Sequence, residues 1–270
     1  MFINRHESAT GRVLASTALA LVLAFSLAGC ANKRLTTGSI KRDDAPSVTQ
    51  MSAGELDKAA DALGKAYTKD TKNRAVAMRY ASVLQMDGRT DQSLAVMRKL
   101  AIDYPKDRDV LAAYGKALAA NGQFEPALDA VRRAQTPEYP DWRLLSAEAA
   151  ILDQLGKPDE ARSLYRRALD IKPNEASVLS NLGMSYLLTG DLKTAEKHMR
   201  TAAEAPGADS RVRQNLALVV GLQGRFDEAE QIARQELSAE QAQANVAYLR
   251  SMLAQQNAWN QLSDEEEATN

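Results

Sequence analysis

Apolar residues recur along most of this chain with the spacing of helices, and the pattern restarts every 34 residues. One repeat, residues 142–175, holds two apolar stretches with steps of four and three residues: Leu145, Ala149 and Leu152, then Ala161, Tyr165 and Ala168. A glycine separates the two stretches and recurs with the same period of 34: Gly88, Gly122, Gly156, Gly190 and Gly224. The pattern therefore predicts two helices in each repeat, joined at a glycine turn.

Small residues and prolines support this arrangement. Every periodic glycine has Ala or Gly seven positions before it and Ala or Ser five positions after it. Small side chains let two antiparallel helices cross closely, because a larger one would overpack the crossing at a cost of about 1–3 kcal/mol. Four prolines mark the ends of second helices, since proline cannot continue a helix: Pro105, Pro140, Pro173 and Pro206.

A period of 34 residues with these landmarks resembles the tetratricopeptide repeat (TPR). The resemblance implies an all-α fold, a TPR solenoid in which antiparallel helix pairs stack into a right-handed superhelix. Five repeats then occupy residues 74–243, each with a first (A) helix and a second (B) helix. Glu148, Arg213 and Glu236 stand where apolar or small residues are usual. The last repeat, which holds two of them, is expected to pack more loosely.

Both ends of the array are predicted to carry capping helices, which a stack of repeats needs to cover its terminal apolar surface. Ser52 and Glu55 have the spacing of a capping box and open an N-terminal capping helix in residues 52–73. Ser238 and Gln241 repeat that spacing ahead of a C-terminal capping helix, which we place at residues 244–259. Residues 260–270 are expected to form an acidic disordered tail.

The N-terminal residues resemble the export signal of a bacterial lipoprotein. Basic residues precede an uncharged apolar run from residue 13 to residue 29, and the run ends in Leu-Ala-Gly before Cys30, which matches a lipobox. The resemblance implies a signal peptide at 1–29, a covalent lipid on Cys30, and a lipid anchor and flexible tether at 30–51. Ala31, rather than Asp, points to the outer membrane, facing the periplasm. An uncleaved anchor helix with a buried cysteine is the alternative.

Composition argues against nucleic-acid binding and against catalysis. Basic and acidic residues number 34 and 35, so no overall cationic footprint for nucleic acid is present. One cysteine and two histidines are too few for a Cys/His zinc site. The repeat accounts for the glycines, and no nucleophile elbow or phosphate-binding loop occurs. We expect no enzyme, no cofactor, no metal and no small-molecule substrate, with a cryptic acid–base pair as the alternative.

Function is expected on the A helices, which line a concave groove in TPR arrays. There, Met and Leu provide an adaptable apolar floor, and Asn and Arg could bond to the backbone of a peptide. The alternative for each Met and Leu is a place in the core between repeats. The groove candidates are Met78, Ser82, Lys116, Arg143, Asn181, Met184, Arg211, Gln214, Asn215, Leu218 and Leu222.

The lipobox, the short tether, about five repeats and the closing segment from Ala244 to Leu253 together resemble the TadD-type lipoproteins of tight-adherence (Flp) pilus assembly. The resemblance implies a periplasmic scaffold that helps a pilus secretin to assemble or localise. Its partners would be the secretin or its assembly factors, and its lipid would hold it to the membrane. Two other functions suit the same array: a type IV pilus or secretion pilotin, and a scaffold for cell-wall hydrolases or outer-membrane protein assembly.

Overall fold

The computed structural model describes residues 51–136, 138 and 140–268, with side chains described as far as residue 256. The predicted signal peptide, Cys30 and residues 30–50 of the tether lie outside the described residues. The described part forms twelve α-helices and no β-strand, so the predicted all-α solenoid is confirmed. The helices are α1 Ala53–Lys69, α2 Arg74–Met86, α3 Thr90–Asp103, α4 Arg108–Ala120, α5 Phe124–Ala134, α6 Trp142–Gln154, α7 Pro158–Ile171, α8 Ala176–Leu188, α9 Leu192–Glu204, α10 Ser210–Leu222, α11 Phe226–Ala233 and α12 Ala239–Ala268.

Glycines and side-chain caps set the turns of the array. The five periodic glycines lie between the A and B helices of their repeats, with φ between 70° and 82°. Glycine adopts this left-handed conformation without the steric penalty that a Cβ atom brings. At the opposite turns, side-chain oxygens accept hydrogen bonds from the first turn of the A helix and fix where it begins. Four of the five A helices start in this way, after Asn73, Asp107, Asp141 and Asp209.

The two helices of one repeat cross at close range. A Cβ atom placed on Gly183 of α8 would lie 2.7 Å from Cγ of Met199 and 3.0 Å from the carbonyl oxygen of Ala195, both on α9. In the second repeat, a Cβ atom on Gly115 would lie 2.6 Å from Cγ2 of Val131. These distances are well below ordinary carbon contacts. The predicted close crossing at small residues is therefore confirmed.

Successive repeats pack through their A helices. Helices α2, α4, α6, α8 and α10 each contact the next A helix as well as the B helix between them, and α12 takes the position after α10. Neighbouring B helices approach one another less closely, although Arg200 of α9 pairs with Glu228 of α11. The A helices therefore share one side of the stack, where their exposed faces adjoin.

The end helices differ in extent from the predicted ones. Helix α1 ends at Lys69, before residue 73, because Asn73 already caps α2. Helix α12 begins at Ala239, where Ser238 and Gln241 form the predicted reciprocal capping box with distances of 3.2 Å and 3.3 Å. It continues to Ala268, through the predicted tail, since residues 239–268 contain no glycine or proline to end it.

Ion pairs account for the three residues that depart from the repeat pattern. Glu148 is 9% exposed, and its Oε1 accepts a hydrogen bond from Nε of Arg132 at 2.7 Å. Arg213 of α10 pairs with Glu236, which follows the short helix α11. In each case a charge at a usually apolar position is paired with a neighbouring side chain of opposite charge, which offsets part of the cost of burying it.

Candidate protein-binding surface

The A-helix side of the last two repeats carries the candidate site. On α10, Arg211, Asn215, Leu218 and Leu222 follow one another at steps of four, three and four residues, so they lie on one helix face. The corresponding face of α8 lies 34 residues earlier in the sequence. Because α8 and α10 contact each other, the two faces form one continuous surface.

Four side chains on this surface form what we call the apolar patch: Met184, Leu188, Leu218 and Leu222. Leu188 is 37% exposed. The other three are partly exposed and pack against the core cluster that contains Leu187. The two roles expected for these residues, groove floor and core, are therefore combined in the same side chains.

The phase of the repeat places Leu187, and not Leu188, among the groove-facing positions. The structure contradicts this, because Leu187 is only 5% exposed and belongs to the core. Two adjacent leucines cannot be separated by hydrophobicity, so only their place in the period distinguishes them. Leu188 lies 34 residues before Leu222, and this spacing could have identified it.

The two candidate asparagines hold the A helices together. Nδ2 of Asn181 donates to Oγ of Ser146 at 3.2 Å, and Nδ2 of Asn215 donates to Oγ of Ser180 at 3.1 Å. Each bond joins one A helix to the A helix before it. One amide N–H of each asparagine is therefore already used within the array. The candidate Gln214 similarly donates to Ser210 at 2.9 Å within α10.

Polar candidates occupy the first repeats, away from the apolar patch. Ser82 on α2 and Lys116 on α4 are exposed, and Met78 is partly buried. Ser82 and Lys116 stand at the positions that Met184 and Leu218 hold in the last two repeats. At this position of the repeat, the first two repeats therefore carry polar side chains and the last two carry apolar ones.

Two arginines lie at the beginning of A helices, beside the same side of the array. The side chains of Arg143 and Arg211 are each 66% exposed. Their closest carboxylates, Asp141 and Asp209, are 3.8 Å and 3.9 Å away. These distances exceed hydrogen-bonding range, so both guanidinium groups retain N–H donors that can reach a partner.

Comparison with known families identifies the repeat. Profiles of the tetratricopeptide repeat match residues 50–117 and 152–219, residues 113–176, and residues 211–235. The first profile alone accounts for half of the chain. The chain belongs to the tetratricopeptide repeat family.

Solved structures agree with a TPR fold. A TPR protein of Parabacteroides merdae is 15% identical, with 73% of this chain and 78% of that chain covered and a TM-score of 0.63. A thermophilic TPR protein of Thermus thermophilus is 23% identical, with coverage of 64% and 96% and a TM-score of 0.55. PilF of Pseudomonas aeruginosa is 19% identical, with coverage of 84% and 92% and a TM-score of 0.50. No curated protein matches the sequence significantly.

TPR arrays are protein–protein interaction scaffolds, and this chain is one of them. The family is generally not enzymatic. Among the described residues, no group of three or more His, Cys, Asp or Glu side chains could hold a metal ion. None of the described helices is both long and apolar enough to cross a membrane.

A network of charged and polar side chains joins the last two repeats on their B-helix side. Glu196 on α9 accepts hydrogen bonds from Nε of Arg200 and Nε2 of Gln223, both at 2.8 Å, and also pairs with Arg225. The bond from Arg225 is the main reason that the pKa of Glu196 falls from near 4.5 to about 2. Glu196 is therefore ionised at neutral pH and ties α9 to the turn between α10 and α11.

A second polar contact joins the third and fourth repeats. Oδ1 of Asp153 accepts from Oγ of Ser185 at 2.7 Å, and its Oδ2 accepts from the hydroxyl of Tyr165 at 3.2 Å. Burial raises the pKa of Asp153 and, more strongly, that of Tyr165. The two hydrogen bonds join α6 to α7 and to α8, so they stabilise the packing of α8, which carries part of the apolar patch.

Proposed function

We propose that this chain is an outer-membrane lipoprotein whose TPR array faces the periplasm and helps a Flp pilus secretin to assemble or localise. The observation that carries the binding role is the apolar patch. Its four side chains lie on the A-helix side of the last two repeats. They remain partly exposed, although three of them also pack against the core. Apolar side chains that are left exposed next to one another on a protein surface often mark a protein-binding site.

The anchor and the pilus assignment rest on sequence. The lipobox that ends at Cys30 supports a lipid anchor, and two or three acyl chains would hold the protein far more firmly than one. The combination of lipobox, tether, repeats and the closing segment from Ala244 to Leu253 supports the TadD-type role. That segment lies within α12, the helix that closes the array.

The anchor is tested with the variant Cys30→Ser. Without the thiol, the lipid cannot be attached and the signal peptidase for lipoproteins should leave the signal uncleaved. We expect precursor to accumulate, as detected by its larger mass, with no incorporation of labelled palmitate. Normal processing and outer-membrane fractionation of Cys30→Ser would refute the anchor.

The partner is tested by affinity capture of the full chain from crosslinked, detergent-solubilised envelopes, followed by mass spectrometry. Recovery of a secretin and of pilus-assembly proteins is the expected result. Recovery of murein hydrolases or outer-membrane insertion factors without a secretin would overturn the pilus role and leave the scaffold role intact.

A pair of matched variants tests whether the apolar patch is the binding surface. Leu188→Glu places a charge in the patch, whereas Ile102→Glu places the same charge at a 71% exposed residue of the B helix α3. Ile102 is a surface residue and Leu188 is the most exposed residue of the apolar patch, so both should tolerate a charge better than a core position would. We expect Leu188→Glu to lose the captured partner and Ile102→Glu to keep it. Equal recovery with both variants would place the binding surface elsewhere.

A further inference from the structure

The two ends of the array carry complementary halves of a helix pair. Helix α1 occupies the position of a B helix, since it ends at Lys69, 34 residues before α3 ends at Asp103. Helix α12 occupies the position of an A helix, because it contacts α10 and α11 in the way that each A helix contacts the two helices before it. Among the described residues, no A helix precedes α1 and no B helix follows α12.

The face of α1 that would meet an A helix is open. In the five repeats, two positions of the B helix pack against the A helix of the same repeat and are at most 5% exposed. Their residues are Ser93, Ala127, Ala161, Ala195 and Ala229, then Met97, Val131, Tyr165, Met199 and Ala233. In α1 the same positions hold Ala59 and Leu63, which are only partly buried. Ala66, one turn later, is exposed, whereas the equivalent residue is fully buried in the first four repeats.

The outer face of α12 is open as well, and its residues suit a close crossing. Ser251 holds the position of Gly183, at which an A helix crosses its B helix at close range. The hydroxyl of Ser251 donates to the carbonyl oxygen of Tyr248 at 2.8 Å, so burying it would leave no donor unpaired. Ala247 and Ala254 lie on the same face, about one turn to either side. All three residues of this face are exposed, and their small side chains leave room for another helix.

The residues that precede α1 in the sequence are poorly suited to cover it. By the period of 34, an A helix for α1 would occupy residues 40–52. Pro46 falls in the middle of that range, where a proline disrupts a helix, and most of the residues around it are polar or charged. The sequence therefore favours a helix from another molecule.

We propose that a second copy of this chain supplies the missing helix at each end, so that α12 of one copy packs against α1 of the next. The contact continues the A–B packing that recurs within the five repeats: Ser251 of one copy meets Leu63 of the next, as Gly183 meets Met199 inside a repeat. Each unit of a solenoid contacts only its neighbours, so the stack can continue across the joint. Because the contact joins two different faces, it is heterologous, and copies add head to tail.

The test places single cysteines on the two faces of the full chain and asks whether two copies crosslink in intact cells. One copy carries Leu63→Cys and one epitope tag, and the other carries Ser251→Cys and a second tag. These two positions are chosen because a Cβ atom at the equivalent of Ser251 lies within 3 Å of the side chain at the equivalent of Leu63 in the second and fourth repeats. Cysteines at such a crossing can form a disulfide under mild oxidation.

A matched control pair uses the same two helices. Lys65→Cys and Asn245→Cys change exposed residues that lie roughly 160° and 120° around α1 and α12 from the first pair. Every copy also contains Cys30, so any crosslink that this residue makes appears equally in the control.

We expect a dimer-sized species that carries both tags, disappears on reduction and is absent from the control pair. Neither Leu63→Cys nor Ser251→Cys should crosslink to its own kind, because the contact joins different faces. Adding Ala59→Arg to the Leu63→Cys copy should abolish the crosslink, since a long side chain overpacks a close crossing. Adding Asp61→Arg instead, at an exposed residue on the other side of α1, should leave the crosslink unchanged.

The absence of a species with both tags, or an equal yield from the control pair, would overturn the inference. So would a crosslink of either variant to its own kind, or a crosslink that persists with Ala59→Arg. These outcomes are separate from the pilus role, because Leu188 lies on neither of the two end faces. A secretin that is captured by the parent chain and lost with Leu188→Glu would support that role even if the copies do not join.

Discussion

Replacing Gly183 with alanine tests whether the close helix crossings hold the repeats together. The new Cβ atom would lie 2.7 Å from Cγ of Met199, about 0.8 Å inside an ordinary carbon contact. Met199 is fully buried, so its side chain can move only by disturbing the side chains packed around it. The atom would also lie 3.0 Å from the carbonyl oxygen of Ala195, which belongs to the backbone of α9. The substitution therefore forces α8 and α9 apart.

The expected cost follows from two opposing terms. Overpacking of a dense core costs about 1–3 kcal/mol. Alanine recovers about 1 kcal/mol through its better helix propensity. We therefore expect Gly183→Ala to lower the free energy of unfolding by up to about 2 kcal/mol. The control is Gly54→Ala in α1, where the added Cβ atom meets nothing within 4 Å, and where stability should stay unchanged or rise slightly.

Urea unfolding followed by far-UV circular dichroism gives the two free energies, and the m-values show whether the variants unfold in the same way. Repeat arrays can open locally, so hydrogen exchange of α8 and α9 locates the loss. If Gly183→Ala unfolds at the same or a higher urea concentration than the parent, with the same m-value, the crossing is not tightly packed and the reasoning fails.

Three further predictions concern the polar contacts. Arg213→Leu and Glu236→Ala should each lower the free energy of unfolding, because each leaves a partly buried charge without its partner. The double variant should lose about 1 kcal/mol less than the sum of the two single losses. Additive losses in urea unfolding would contradict this. Since the pKa of Glu196 is lowered to about 2 from near 4.5, its stabilising contribution is complete above pH 4.5 and disappears as the pH falls towards 2. The melting temperature of Glu196→Gln should therefore fall less than that of the parent as the pH is lowered over this range. If both proteins show the same fall, ionised Glu196 does not stabilise the array. Tyr165→Phe removes the hydroxyl that donates to Asp153 at 3.2 Å and should cost about 1 kcal/mol in thermal unfolding; an unchanged melting temperature would show that this bond contributes nothing.

The repeat itself could be derived from the sequence, because helix turns and helix crossings depend on local residue size. A left-handed turn needs glycine, and a close crossing needs a small side chain. Each of these residue types therefore recurs with the period of 34 residues. The helix pairs, the glycine turns and the capping box at Ser238 all follow from such local signals. Helix ends depend on weaker signals, and α12 accordingly runs far beyond the predicted residue 259.

The candidate site was only partly visible in the sequence. The spacing placed Met184, Leu218 and Leu222 on the A-helix side, but it could not separate Leu187 from Leu188 or groove from core. The roles of the asparagines depended on serines of the preceding repeat, about 35 residues away in sequence.

By itself, the sequence determined the period, the helix pairs, the TPR family and the candidate lipobox, because these depend on residue type and spacing along one segment. Only the tertiary structure decided which leucine is exposed, which polar groups are already bonded, and that Arg213 and Glu236 form a pair. Those properties depend on which side chains from different repeats meet, since burial and hydrogen bonding are settled by neighbours in space.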